Sequence, residues 1–181
     1  NHSDKLYDAK GEVVGEQALL AGQAEGKYSL DTSHGKVMLA TSKAGRPSQE
    51  DGMYSANYTL EDGTPVTVLA WGDGAGGMGS GDLAQAAFLR GVQDQVALMA
   101  QHGEYADASV LFSDAIEAVK MQKHLHQQLN SQYEYAIKNA TGAGGIVVIV
   151  GQKFTAATVA DASLVQCDST GKVIGYSGSD V

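Results

Sequence analysis

Residues 66–84 read VTVLAWGDGAGGMGSGDLA, and this stretch changes character twice. Residues 66–71 form an apolar run that is typical of a β-strand. Residues 72–81 are rich in glycine, and from Asp82 onwards the apolar residues recur at helical spacing. The stretch therefore predicts a buried strand that leads through a glycine-rich loop into a helix, with Asp82 as a favourable acid in the first helical turn.

The segments before this stretch predict further strands. Residues 36–41 are a short apolar run that ends at a turn containing glycine and proline. Residues 54–58 and 66–71 flank Asp62-Gly63, a dipeptide typical of a hairpin turn. Residues 1–35 contain only short apolar runs, so strands and a short helix both remain open there.

Two helices are predicted after the glycine-rich loop. The first begins at Asp82, and its buried face is predicted to contain Phe88, Val92, Val96 and Met99. The second covers residues 109–139, with an apolar residue at every fourth position: Met121, Leu125, Leu129, Tyr133 and Ile137.

The last third of the chain returns to strands. Residues 141–145 are read as a glycine-rich interruption, and residues 146–150 are a β-branched run typical of a strand buried on both faces. Residues 154–159, 163–167 and 173–176 are predicted as shorter strands. The order of strands, two helices and strands favours an α+β fold over alternating βαβ units.

Composition sets limits on the function. The 181 residues are 43% hydrophobic, which suits a single domain with a substantial core. A net charge of -9 argues against nucleic acid or an anionic membrane as the main partner. Cys167 is the only cysteine and is interpreted as a small buried strand residue, and no apolar run is long enough to span a bilayer. We therefore predict a cytoplasmic location.

Two acidic clusters lie close to the ends of predicted strands. Glu50-Asp51 precedes the hairpin, and Asp73-Gly74 follows its second strand. Hard divalent cations prefer carboxylate, carbonyl and water oxygens, and glycine lets a backbone carbonyl approach a metal closely. The pattern indicates a divalent-metal site, although Asp-Gly alone is a common turn dipeptide.

Two motifs in the same order resemble those of a known family. Residues 72–84 resemble the "ADGMGGHxxGExAS" signature of the metal-dependent protein phosphatases, the type-2C serine/threonine family. Residues 45–51, GRPSQED, resemble that family's "GxRxxNED" segment, with Gln49 in place of asparagine. Residues 142–161 are similar only in layout to its "GTTA" and "VGDSR" strands, keeping Val159 and Asp161 of the second motif.

The resemblance covers roughly residues 36–181, and it implies a single type-2C-phosphatase-like domain over residues 1–181. The implied fold is a central β-sandwich of mostly antiparallel strands flanked by two long helices. The implied activity is hydrolysis of phosphoserine or phosphothreonine in a phosphoprotein by a metal-activated hydroxide. The implied cofactors are two Mn²⁺ or Mg²⁺ ions, with Asp161 holding an additional, weaker ion.

The resemblance also implies a role for each matching residue. Asp73 would bridge the two metal ions, and Gly74 would contribute its carbonyl oxygen. Glu50 and Asp51 would bind a metal ion or its waters. Arg46 would bind the substrate phosphate, because a guanidinium offers paired donors to phosphate oxygens.

Three interpretations stay open at this stage. The family's further aspartates lie in "SDG" and "DN" motifs that the sequence does not contain in convincing form, and Asp180 is only a weak candidate ligand. The chain is therefore read as an active phosphatase or a fragment of one, as a shortened, non-catalytic binding module of the same fold, or as an unrelated acidic α+β domain. The histidines, including His34, are interpreted as solvated surface residues.

Overall fold

A computed structural model describes residues 3–75, 81–129 and 142–177, and in this part of the chain it contains ten strands and two helices. The strands are β1 (Ser3–Tyr7), β2 (Val13–Leu20), β3 (Gly26–Thr32), β4 (Gly35–Thr41), β5 (Asp51–Thr59), β6 (Pro65–Gly74), β7 (Gly142–Val150), β8 (Lys153–Val159), β9 (Leu164–Cys167) and β10 (Val173–Ser177). The helices are α1 (Gly81–His102) and α2 (Ala108–Leu129). Of the strands and short helix left open for residues 1–35, the described residues 3–35 form strands.

Six strands form the main sheet, in the order β1-β2-β5-β6-β7-β8, and each neighbouring pair is antiparallel. The hairpin predicted at its centre is confirmed. Gly63 has a positive φ of 86°, and the Asp62 carboxylate accepts a hydrogen bond from the Thr64 amide at 2.9 Å. This turn sets the register in which Thr59 faces Pro65.

Both helices cover one face of the main sheet. Tyr54, Ala56 and Tyr58 of β5 point to this face and join the large apolar core. The predicted inner face of α1 is confirmed, because Phe88, Val92, Val96 and Met99 are all buried.

Three glycines at equivalent positions in neighbouring strands let α1 lie close to the sheet. Gly52, Gly72 and Gly144 face one another across β5, β6 and β7. A β-carbon on Gly52 would lie 2.6 Å from Leu89 Cδ1, and one on Gly144 would lie 3.3 Å from Phe88. The interpretation of residues 141–145 as an interruption was wrong for residues 142–145, which form the first part of β7. Gly144 leaves room for α1, whereas a β-carbon on Gly142 or Gly145 would meet the Asp73 carbonyl oxygen or the Trp71 ring of β6.

The β3–β4 hairpin covers part of the opposite face. Leu39 of this hairpin packs against Ala18 and Leu20 of β2 in a second, smaller core. The hairpin therefore supplies a second β layer. The α+β class predicted from the sequence is confirmed, with its antiparallel sheet and two long helices.

His34 anchors the tip of this hairpin. Its Nδ1 lies 2.7 Å from Thr67 Oγ1 in β6, and its Nε2 lies 2.6 Å from the carbonyl oxygen of Gly151. The expectation of a solvated histidine was wrong here, because the side chain is half-buried and both ring nitrogens have partners.

Two residues with largely apolar side chains, Met121 and Cys167, are exposed. Met121 is the first of the apolar residues at every fourth position of the predicted second helix, and its side chain is 66% exposed. Instead, α2 buries Ala108, Leu111 and Ala115. The helix predicted over residues 109–139 is confirmed as far as Leu129, and Tyr133 and Ile137 lie outside the described residues. Cys167 is exposed at the end of β9 instead of buried. Among the described helices, none is long and apolar enough to cross a membrane.

Candidate functional site

A cleft of about 230 Å³ lies where β5 begins and β6 ends. Arg46, Glu50, Asp51 and Asp73 line it together with other residues of the loop that connects β4 to β5. Three of these four residues are near neighbours in sequence, so the informative contribution is that of Asp73. The fold brings this carboxylate to the cleft from a different strand, as expected if the two acidic clusters form one site.

Asp51 and Asp73 face each other directly across β5 and β6. The Gly74 amide donates to the Glu50 carbonyl at 2.8 Å, which makes the next pair inward, Asp51 and Asp73, a non-hydrogen-bonded pair. Side chains approach most closely at such pairs. Both aspartates therefore lie inside strands, whereas the sequence placed Asp73 in a loop after its strand.

The two carboxyl groups interact strongly. Partial burial raises the pKa of Asp73 above its ordinary value of 3.8, and the hydrogen bond with Asp51 and the charges of Asp51 and Asp161 raise this pKa further. The Arg46 guanidinium opposes the shift. Like charges directly opposite on a sheet are destabilising, so a cation bound between the two carboxylates would stabilise the pair.

Glu50 and Arg46 form an ion pair at the mouth of the cleft. Arg46 Nη1 lies 3.6 Å from Glu50 Oε2, and the Glu50 side chain is only 9% exposed while that of Arg46 is 68% exposed. An ion pair with one solvated partner contributes little to stability. The exposed guanidinium is accessible to another anion, but leaving Glu50 would deprive a largely buried carboxylate of its counter-charge.

Gly74 and Asp161 lie at the edge of the site. Gly74 is buried, and a β-carbon there would lie 2.6 Å from the Gly81 Cα where α1 begins, so packing alone requires glycine at this position. Asp161 lies in the turn after β8, close enough for its charge to influence Asp73 but not among the residues that line the cleft.

The Asp51–Asp73 pair is the part of the site that fits a divalent cation. In the described part of the chain, no three Asp, Glu, His or Cys side chains are placed to hold one ion together. Mg²⁺ is commonly held by one or two carboxylates, with waters and substrate phosphate oxygens as the remaining ligands. Two facing carboxylates beside an exposed guanidinium match that donor set.

A scan against protein-family models and searches of characterised proteins and of solved structures found no match for this chain. What the structure defines is therefore a class, an α+β protein with an acidic cleft at one end of an antiparallel sheet.

The Asp73 shift predicts how the stability of the metal-free protein depends on pH. A carboxyl group whose pKa is raised by folding contributes stability below its unfolded value of 3.8 and loses it as the pH rises through the folded-state value. We expect the stability advantage of an Asp73→Asn variant over the wild type to grow from pH 4 to pH 7. Urea unfolding of both proteins in the presence of a chelator measures the difference in their free energies of unfolding. A difference that does not change with pH would contradict the prediction.

Proposed function

We propose that this chain is a Mn²⁺- or Mg²⁺-dependent hydrolase of phosphate monoesters, acting on phosphoserine or phosphothreonine in a phosphoprotein. The observation that supports this most is the direct pairing of Asp51 and Asp73 in a cleft that also contains Arg46. The pair provides the negative charge that attracts cations, and the guanidinium provides the complementary group for a phosphate.

Each group in the cleft would have a role that follows from its chemistry. Bound divalent ions would supply an activated water and neutralise the charge that develops on the phosphate oxygens. Asp51 and Asp73 would hold the cations between two strands of a rigid sheet. Arg46 would leave Glu50 and donate paired hydrogen bonds to the phosphate.

A non-catalytic, phosphatase-like binding module is the second candidate. The observation in its favour is the ion pair between Arg46 and Glu50, which occupies the guanidinium proposed for the phosphate. In that case the cleft would bind one cation weakly and turn over no substrate. The partner we propose would still be a cytoplasmic phosphoprotein, and the net charge of -9 argues against nucleic acid or an anionic membrane.

Hydrolysis of a phosphoserine peptide by the purified chain separates the two. We expect release of phosphate with added Mn²⁺ and none with a chelator, and restored activity when Mn²⁺ is returned in excess. Calorimetry with Mn²⁺ alone accompanies the assay. Binding without turnover would support the binding module, and the absence of both would overturn the proposed function.

A further inference from the structure

The backbone of Asp51 lies beyond the point at which β2 supports β5. The pairing of β2 with β5 ends at Leu20, opposite Met53. Backbone groups of successive residues in a strand point to opposite sides, and the Glu50 carbonyl bonds to β6. The amide and carbonyl of Asp51 therefore point to the side that β2 has left, where they need other partners.

Two buried glutamine side chains supply these partners. Gln49 Oε1 accepts the Asp51 amide at 3.0 Å, and the Gln49 residue is only 1% exposed. Gln85 of α1 donates from Nε2 to the Gly22 carbonyl at 3.0 Å and lies 3.5 Å from the Asp51 carbonyl. The Gln85 amide thus lies between the chain that leaves β2 and the first residue of β5.

Gln23 connects this arrangement to the start of α1. Its Oε1 accepts the Gln49 amide at 3.0 Å, and its Nε2 donates to Asp82 Oδ2 at 2.8 Å. Gln23 therefore links three segments next to Asp51 by hydrogen bonds: the loop after β2, the loop before β5 and the first turn of α1.

The buried side chain of Gln49 carries a free-energy cost that its packing does not explain. Its Nε2 is buried and has no hydrogen-bond partner among the described residues. A buried donor without a partner costs about 1–3 kcal/mol, so methionine would fill the same space without that penalty. The compensating contribution of Gln49 is the bond from its Oε1 to the Asp51 amide.

We propose that Gln49 is a positioning residue that holds Asp51 with its carboxylate opposite Asp73, against the repulsion between the two groups, and so preorganises the pair for a divalent cation. The inference rests on the proposed function, because it assumes that the pair binds a metal ion. The predicted effect is on the affinity for the ion. Without the hydrogen bond from the Asp51 amide to Gln49, the start of β5 can relax. The ion must then restore the arrangement at the expense of its own binding free energy.

Calorimetric titration of the full chain with Mn²⁺ tests this inference. We expect Gln49→Met to weaken Mn²⁺ binding by about 10- to 100-fold, the usual effect of removing a group that orients a metal ligand. Hydrolysis by this variant should need correspondingly more Mn²⁺ and keep its kcat once Mn²⁺ is saturating. Gln17→Met is the matched control, because Gln17 is also buried and accepts a hydrogen bond from Tyr54 of β5. Gln17 lies in β2 opposite Ala56, which is five residues after Asp51.

Each outcome has a separate meaning. Unchanged Mn²⁺ affinity in Gln49→Met, or an equal loss in Gln17→Met, would overturn the positioning role and leave the proposed function standing. A wild-type chain that binds no Mn²⁺ would refute the proposed function itself, and the inference with it. If Gln49→Met fails to fold, Gln23→Ala serves instead, since Gln23 is exposed. It should weaken Mn²⁺ binding several-fold through Gln49, and unchanged affinity would also overturn the inference.

Discussion

Replacing Asp73 with asparagine is expected to lower Mn²⁺-stimulated phosphate release by a factor on the order of 100 or more. The same change should stabilise the metal-free protein by about 0.5–1 kcal/mol, because it removes one of two like charges that face each other across β5 and β6. Asparagine keeps the shape of the side chain, so the two effects report on charge. Initial rates on a phosphoserine peptide and urea unfolding in a chelator measure them.

The opposite signs of these effects make the prediction specific. A residue with a purely structural role would lose activity and stability together, whereas a metal ligand gains stability when its charge is removed. Asp4→Asn is the control, since Asp4 is an exposed acid at the far edge of the sheet that faces Gln17. It should leave both quantities nearly unchanged. Full activity in Asp73→Asn, or a less stable metal-free variant, would contradict the proposed metal pair.

Features of the fold that depend on neighbouring residues could be predicted from the sequence. The β5–β6 hairpin follows from Asp62-Gly63 between two apolar runs, and the inner face of α1 follows from apolar residues at helical spacing. The fold class follows from the order of these elements. In each case the pattern that determines the structure lies within a few turns of one helix or within one hairpin.

The pairing of Asp51 with Asp73 could have been predicted from the sequence but was missed. The turn at Asp62-Gly63 fixes a register in which Thr59 faces Pro65, and the same register, extended by eight residues on each strand, brings the two aspartates together. The sequence interpretation ended the second strand at residue 71, because glycines normally weaken strands. These glycines belong to the strand because α1 packs against them.

Other features of the site depend on contacts between distant segments, which local patterns do not reveal. Gln23 and Gln49 are separated by 26 positions, and their hydrogen bond exists only because the loop after β2 reaches the start of β5. The same is true of His34, whose partner Gly151 is 117 positions away. A glutamine or histidine in a polar loop looks solvated until the fold places a partner beside it.

Replacing Gly52 with alanine is expected to destabilise the protein by about 2–3 kcal/mol, since adding a methyl group to a tightly packed interior forces its neighbours to move. The new β-carbon would overlap the Gln85 side chain and lie 2.6 Å from Leu89 Cδ1 and 2.8 Å from the Leu20 carbonyl oxygen. The helix and the neighbouring strand confine it from two sides. Thermal unfolding should show a midpoint lower by roughly 5–10 °C for a chain of this length.

Two glycine variants provide a graded comparison. A β-carbon on Gly72 would meet Gln85 Cβ at 3.1 Å, so Gly72→Ala should cost less than Gly52→Ala. A β-carbon on Gly175 would meet only the exposed side chain of Gln166, so Gly175→Ala should be neutral or slightly stabilising, because alanine loses less backbone freedom on folding. Equal stability of all three variants would show that α1 does not pack tightly against Gly52 and Gly72. The Gln85 amide would then no longer be held between Gly22 and Asp51.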